Sequence, residues 1–171
     1  MNTKMPKESL TILTDMVLPG ETNALHSLFG GEILARMDRA CSIAAQRHSG
    51  QIVVTASVNH VVFNKAVPVG SIVSVEAKVS RAFNSSMEVY ADVWTEDLKS
   101  RQKTKVNEGI YTFVAVDKTG TPVKVPAIQP ETKLEQERFD GALRRKQLSL
   151  VLSGRMKPQD AGELKALFIG S

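Results

Sequence analysis

A chain of 171 residues, 42% of them apolar, is long enough for one folded domain with an appendage and too apolar for disorder. Its 22 Lys and Arg against 18 Asp and Glu leave +4, a mild bias toward anionic partners that singles out none, and one cysteine excludes an internal disulfide framework. No apolar run reaches about 18 residues, the length a membrane-spanning helix needs, so no membrane insertion is expected. The N-terminus, MNTKMPKESL, lacks the apolar region of a signal peptide, and the cytoplasm is the expected location. The aromatic residues lie in apolar contexts and not along a basic stripe, so no nucleic-acid partner is expected.

In chain order, residues 1–9 are expected to be frayed. Residues 10–18, LTILTDMVL, read as a first strand closed by the turn pair Pro19-Gly20. A polar loop and a Gly-Gly pair follow, and then one long amphipathic helix from about Glu32 to His48. Ile33, Leu34, Met37, Ala40, Cys41, Ala44 and Ala45 recur on a 3.6-residue period, so they form one apolar stripe. Glu32, Arg36, Arg39 and Gln46 fall off it. Cys41, inside the stripe, is expected to be a small core residue.

Asp38 lies on the row Leu34, Asp38, Cys41, Ala45, at the margin of the stripe. A carboxylate held there is half dry, and desolvation strengthens its pull on a neighbouring proton. Periodicity alone favours a rim Asp, paired with Arg39 or Arg36 or simply wet.

Ser49-Gly50 ends the helix, with Gly50 as its cap. The period then changes from 3.6 to 2. Residues 52–63, IVVTASVNHVVF, alternate with Val54, Ala56, Val58, His60 and Val62 on one face and Val53, Thr55, Ser57, Asn59 and Val61 on the other. Strands over 71–81, 87–96 and 106–116 follow at hairpin spacing, with turns at 84–86, 97–100 and 117–120, so the sheet is mostly antiparallel. Gly109 inside the last strand marks a candidate bulge. A single helix covers one sheet face only. The other face is expected to keep Val and Ile exposed, and a second copy of the chain is the expected cover.

From about Glu131 the composition becomes charged and helix-prone. Pro158 suits a helix's first turn and Gly170 its end. Residues 133–171 hold eight Lys and Arg against five Asp and Glu, so most of the excess charge lies here, densest at Arg144-Arg145-Lys146. That cluster reads either as a solvated helix face or as a phosphate contact.

Five stretches in order, FGGEILARMD, AAQRHSGQIVVTASV, AKVSRAFNSSMEV, YTFVAV and the tail's RRK, resemble the hotdog-fold acyl-CoA thioesterases. The likeness is to the cytoplasmic acyl-CoA hydrolase branch, which includes the acetyl-CoA and brown-fat-type enzymes. It covers roughly residues 10 to 147. The resemblance implies an α+β hotdog fold over 10–130, an antiparallel sheet wrapped around one long helix, with a helical extension over 131–171. It implies hydrolysis of acyl-CoA to free acid and CoA without a cofactor or metal, by a homo-oligomer that is at least a dimer and on the family pattern a trimer of dimers. Asp38 matches the family's catalytic carboxylate and Asn23 a loop Asn that completes the site. Ala56, Ser57 and Val58, then Ser85, Ser86 and Met87, fall on segments that contact CoA in such enzymes. Lys146, with Arg144 and Arg145, matches a basic tail position used in CoA binding. One departure stands out: relatives often carry Gly where His26 stands, at a position whose backbone angle His adopts less readily.

The chemistry agrees with the resemblance. A thioester has an electrophilic carbonyl and a good leaving group, so an activated water or an attacking carboxylate, plus a donor for the oxyanion, suffices. The helix N-terminus offers unpaired amides, and Gly31 N–H is the candidate donor. Asp38 lies two turns further on, roughly 10 Å of rise, which points to an Asp38 and an amide from opposite subunits at each site. Two other readings use the same residues: a hotdog dehydratase or hydratase pairing His26 with Asp38, and a non-catalytic acyl-CoA-binding module.

Overall fold

The computed structural model describes residues 2–169. Strands β1 (Thr11–Met16), β2 (Ile52–Phe63), β3 (Ile72–Ala82), β4 (Ser86–Glu96) and β5 (Lys103–Val116) form one antiparallel sheet in the order β1-β3-β4-β5-β2. The long helix α1 (Gly30–Ser49) packs against all five strands. Contacts divide the chain into two compact units, one up to Gln129 and one from Pro130.

The sheet meets α1 through Val73, Val75, Ala77 and Val79 of β3, Met87, Val89, Ala91 and Val93 of β4, and Tyr111, Phe113 and Ala115 of β5, all buried. Against them α1 sets Ile33, Met37, Ala40, Cys41, Ala44 and Ala45. The small residues in the middle of this stripe bring helix and sheet close. Gly109 continues the fit, since a Cβ there would lie 2.5 Å from Met37 Cε. Gly109 pairs regularly with Ala91, so the bulge expected at this glycine lies elsewhere. One slip lies opposite Gly109 in the neighbouring strand, where β2 shifts register between Asn59 and Val62, and β5 has its own slip against β4 at Val106.

A second irregularity in β2, between Thr55 and Ser57, overturns the simple alternation read from the sequence. Thr55 pairs with Phe113 and Val58 with Tyr111, so these two β2 residues share the helix-facing side, whereas strict alternation separates them. The physical reason is that each bulge adds an unpaired residue and reverses the faces beyond it.

Two polar residues of α1 are buried, and one of them, Arg36, is expected off the apolar stripe. Arg36 is 5% exposed because three carboxylates reach its guanidinium, and His48 is fully buried at the far end of the helix. The sheet's outer face is mixed. Its middle carries Glu76, Lys78, Tyr90, Asp92, Trp94 and Glu108, with Lys105 bridging Asp92 at 2.7 Å and Glu108 at 2.5 Å. Its two edge strands keep exposed apolar side chains on that same face, Ile12 and Met16 on β1 and Ile52 and Val54 on β2, while the exposed Val58 and Phe63 of β2 lie on the helix side.

The first residues, expected to be frayed, are tied down. A 3₁₀ turn spans Pro6–Ser9, Ser9 Oγ accepts the Val79 N–H at 2.9 Å, and Lys4 N–H donates to Ala127 O at 2.9 Å. Lys4 Nζ donates to the Arg47 and His48 carbonyls, placing a cation on the orphan acceptors at the C-terminus of α1. Gly50 completes that end in the left-handed conformation, φ 66°, its N–H donating to Gln46 O.

His48 hydrogen-bonds the Pro126 carbonyl through Nε2 at 2.8 Å, and burial lowers its pKa. The unfolded chain therefore takes up a proton first as pH falls. Stability from this residue is complete above the ordinary histidine range near pH 6.5 and declines below it. Melting temperature is expected to drop between pH 7 and 5 by more in the wild type than in His48→Gln, with both measured by calorimetry across that range.

The second unit begins with α2 (Lys133–Leu152), capped by a box in which Thr132 Oγ1 accepts the Glu135 N–H and Glu135 accepts the Thr132 N–H. Pro158 opens a 3₁₀ turn, Pro158–Asp160, and the following helix α3 is Gly162–Ile169. Leu164 N–H donates to Gln147 Oε1 where α3 packs on α2. Gly170, the expected helix end, lies outside the described residues.

Candidate active site

The loop ahead of α1 is a small closed turn. Asn23 N–H donates to Ser27 O at 2.8 Å, and Thr22 bridges Leu28 in antiparallel fashion. Asn23 Oδ1 accepts the N–H of Leu25 at 2.9 Å and of Ser27 at 3.3 Å. Its carbonyl end is thus spent on holding the loop, and the NH₂ end is what Asn23 can offer a ligand as a donor. His26 sits inside this turn at φ 56°, the left-handed region, with its N–H donating to Asn23 O and its carbonyl accepting from Val69. A side chain at this angle costs roughly 1–2 kcal/mol that glycine avoids. His26→Gly is expected to preserve the loop, keep thiol release from acyl-CoA, and hold or raise Tm by up to about 4 °C. Abolished activity would instead give the imidazole a chemical role.

The loop delivers the chain into α1 at Phe29, whose carbonyl accepts the N–H groups of Glu32 and Ile33. Gly30 and Gly31, the first two helical residues, have no preceding turn to receive their amides. A Cβ on Gly31 would meet only the Phe29 ring, at 3.8 Å, so the approach to its amide is open. Next to it lies an open groove of about 350 Å³, walled by Asn23, Leu28, Gly30, Ile33, Phe63 and Lys65 among others. Asp38 is not in this wall.

Two turns along α1, Asp38 is half-buried, at the stripe margin as its spacing predicts. Its partner is neither Arg36 nor Arg39: Thr55 Oγ1 of β2 donates to Asp38 Oδ1 at 2.9 Å. The bond engages Oδ1, and Oδ2 has no hydrogen-bond partner among the described residues. Below it, Tyr111 Oη donates to the Leu34 carbonyl at 3.1 Å, pinning the turn that carries Asp38. Burial, with Cys41 and Asp38 nearby, raises the Tyr111 pKa strongly, so the phenol stays a proton donor. The Cys41 thiol is likewise pushed well up by burial and serves as packing.

Thr55 is the residue that sequence reading passed over. The available signal was a hydroxyl among valines on a strand face due to pack against the helix. Within one chain the structure joins Asp38 to Thr55, and Asn23 to the helix start, as two separate clusters.

The residues expected at CoA fall as follows. Ala56 is the extra residue of the first β2 bulge and is exposed, as is Val58; Ser57 is half-buried, its Oγ accepting from Asn59. Ser85 and Ser86 are half-buried at the β3–β4 turn, where the Ser85 carbonyl accepts the Ala115 N–H and the Ser86 carbonyl the Phe83 N–H. Met87 has no exposed surface and packs in the core, so neither its side chain nor its main chain is open to a ligand. Arg144, Arg145 and Lys146 are half-buried on α2, which does not fit a fully solvated face. Arg145 folds back over Gly141 and donates to the Arg138 carbonyl at 2.7 Å.

A family profile described as the thioesterase superfamily matches residues 25–101. The chain is 38% identical over 133 residues to an uncharacterized acyl-CoA thioester hydrolase, YkhA, of Bacillus subtilis, spanning 78% of this chain and 77% of that one. The chain belongs to the thioesterase superfamily. Two superfamily structures resemble it along most of its length. The Staphylococcus aureus acyl-CoA hydrolase, solved with butyryl-CoA, CoA and CoA disulfide, is 34% identical with a TM-score of 0.83, covering 96% of this chain and 99% of that one. An apo-hexameric acyl-CoA thioesterase is 36% identical with a TM-score of 0.82, covering 85% and 94%. The S. aureus hydrolase has also been solved with alanine replacing an Asn, an Asp and a Thr, separated along its chain by 15 and 17 residues. Asn23, Asp38 and Thr55 are separated by the same 15 and 17.

Proposed function

We propose that this chain hydrolyses acyl-CoA thioesters to a free carboxylic acid and CoA, with Asp38 as the activating carboxylate. The observation that carries the reading is the Thr55–Asp38 hydrogen bond, at 2.9 Å, on a half-buried aspartate. Thr55 holds Oδ1 and leaves Oδ2 for the reaction. From there Asp38 either takes a proton from the attacking water or adds to the carbonyl as a nucleophile, with water then cleaving the anhydride. Both routes balance: the C–S bond breaks, a C–O bond forms, and the departing CoA sulfur receives the proton that water gives up.

The oxyanion needs donors. Asn23 Nδ2 and Gly31 N–H supply them beside the groove, and the unspent helix dipole favours negative charge there. Because Asp38 and this groove are separate within one chain, each site takes Asp38 and Thr55 from one subunit and Asn23 and Gly31 from its partner. The apolar side chains left open on edge strand β2 support such a pairing, since an open apolar strand edge invites another chain. The hexameric thioesterase it resembles supports a trimer of dimers. CoA would be held by main chain and side chains at Ala56, Ser57 and Val58, by main chain at Ser85 and Ser86 with Met87 packed beneath them, and by Arg144, Arg145 and Lys146 of the helical extension.

The direct test is thiol release from acyl-CoAs of graded chain length, with thiol trapped by a chromogenic reagent. Turnover that peaks at one length supports the hydrolase reading and identifies the substrate. CoA binding with no turnover at any length overturns it in favour of a non-catalytic module.

A further inference from the structure

One heavily engaged side chain is not used by the mechanism above. Arg36 is 5% exposed, yet it does not lie on the apolar stripe. Its Nε donates to both oxygens of Asp15 at 3.0 Å. Its Nη2 donates to both oxygens of Glu21 at 2.9 Å. Its Nη1 reaches Glu32 Oε2 at 3.4 Å and the Glu32 carbonyl at 3.3 Å. These carboxylates come from β1, from the loop that bears Asn23, and from the first turn of α1. Three carboxylates on one guanidinium form a junction that only a planar, five-donor group can satisfy.

Glu21 is the branch that matters. Its Oε2 also accepts the Leu18 N–H at 2.9 Å, and its main-chain carbonyl accepts the N–H of Phe29, again at 2.9 Å. Leu18 and Phe29 are the two mouths of the loop, Asn23 lies between them, and Phe29 is the residue from which α1 starts. Arg36 therefore clamps Glu21, and Glu21 closes the loop that sets both the Asn23 amide and the Gly31 N–H. Arg36 is one and a half turns from Gly31 and does not line the groove, so its effect on chemistry passes through the residues it holds, Glu21 first among them.

We propose that Arg36 is a positioning residue for the oxyanion donors: it acts through Glu21 to hold the Asn23 loop and the start of α1 in working register. This rests on the hydrolase reading above. Without Arg36 the three carboxylates repel one another and release the loop. Asp38 and Thr55, joined to each other on the far side of the same helix turn, keep their own geometry.

The test compares Arg36→Met, Arg36→Lys and Glu21→Gln in the full chain by steady-state thiol release and by amide hydrogen exchange. In Arg36→Met, kcat is expected to fall about tenfold or more with KM within about threefold, since donors aimed at the oxyanion act in the transition state. Arg36→Lys, which keeps the charge but loses the fork, falls between. Glu21→Gln, which is less apt to unfold, repeats the kcat loss in milder form. Exchange at the Phe29 amide rises in each variant while β4 amides stay protected. In an Asn23→Ala background the Arg36→Met loss is smaller than in the wild type, because the share that passes through Asn23 is already gone and only that through the Gly31 N–H remains.

Full loss in that background, or unchanged kcat with a protected Phe29 amide, overturns the proposal. Uniformly faster exchange through β3 and β4 also overturns it, reducing Arg36 to a fold staple. If the wild type releases no thiol from any acyl-CoA, the hydrolase reading fails, and exchange at Phe29 still decides whether Arg36 holds the loop.

Discussion

Asp38→Asn is expected to lower kcat for acyl-CoA hydrolysis by about a hundredfold or more, the usual cost of losing a positioned acid–base group. KM should change little, because the amide is isosteric and the groove residues Asn23, Leu28, Ile33 and Phe63 are untouched. Thr55 can still meet the amide oxygen, so the helix margin should stay folded and Tm should hold. Thr55→Val then gives a smaller loss, on the order of tenfold, since it frees the carboxylate without removing it. The two losses should not add in the double variant, as Thr55 has no function once the carboxylate is gone. Steady-state thiol release from the four proteins measures all of this. Unchanged turnover in Asp38→Asn removes Asp38 from the chemistry.

Mixing two inactive variants is expected to restore activity. If each site draws Asp38 from one subunit and Asn23 from its partner, a dimer of Asp38→Asn with Asn23→Ala has one site with both changes and one site with neither. Refolding an equal mixture yields mixed dimers as half of the population by random pairing. About a quarter of all sites are then intact, and about a quarter of wild-type turnover should return, from two proteins that are each nearly inert. Sites contained within one subunit give no recovery at all. The two outcomes differ by more than any plausible change in folding yield, which co-expression with two affinity tags would check.

The parts of this fold that were legible in the sequence are those governed by one period. The helix stripe from Ile33 to Ala45 and the strand at 52–63 were read with the right type and nearly the right ends. Asp38 could be placed at the stripe's margin because its position on the row through Cys41 is a matter of angle alone. His26 was readable as a strained position only through the glycine that relatives place there, and its φ of 56° agrees.

What escaped depended on partners distant in sequence. Arg36 looked like a solvent-facing residue until Asp15 and Glu21, from two other segments, came to meet it. Thr55 took its meaning from a carboxylate 17 residues earlier. Lys4 anchors a helix end more than forty residues away, so nothing near it in the chain marks the N-terminus as ordered. Asn23 was selected for its amide, but which end of that amide is free follows only from the turn that Leu25 and Ser27 close upon it.

The two slips in β2 act together like a pair of compensating frameshifts. The first turns over every side chain beyond Thr55, and the second, past Asn59, turns them back, so Val53, Thr55, Val58 and Phe63 fall on one side while the strand's two ends keep the parity of an unbroken strand. A lineage that lost one of these extra residues would close that slip, since the residues on either side already pair in register with β5 and would keep their faces. A loss of one residue anywhere else in the strand would exchange inside for outside beyond it. Single-residue length differences among relatives should therefore fall at these two points.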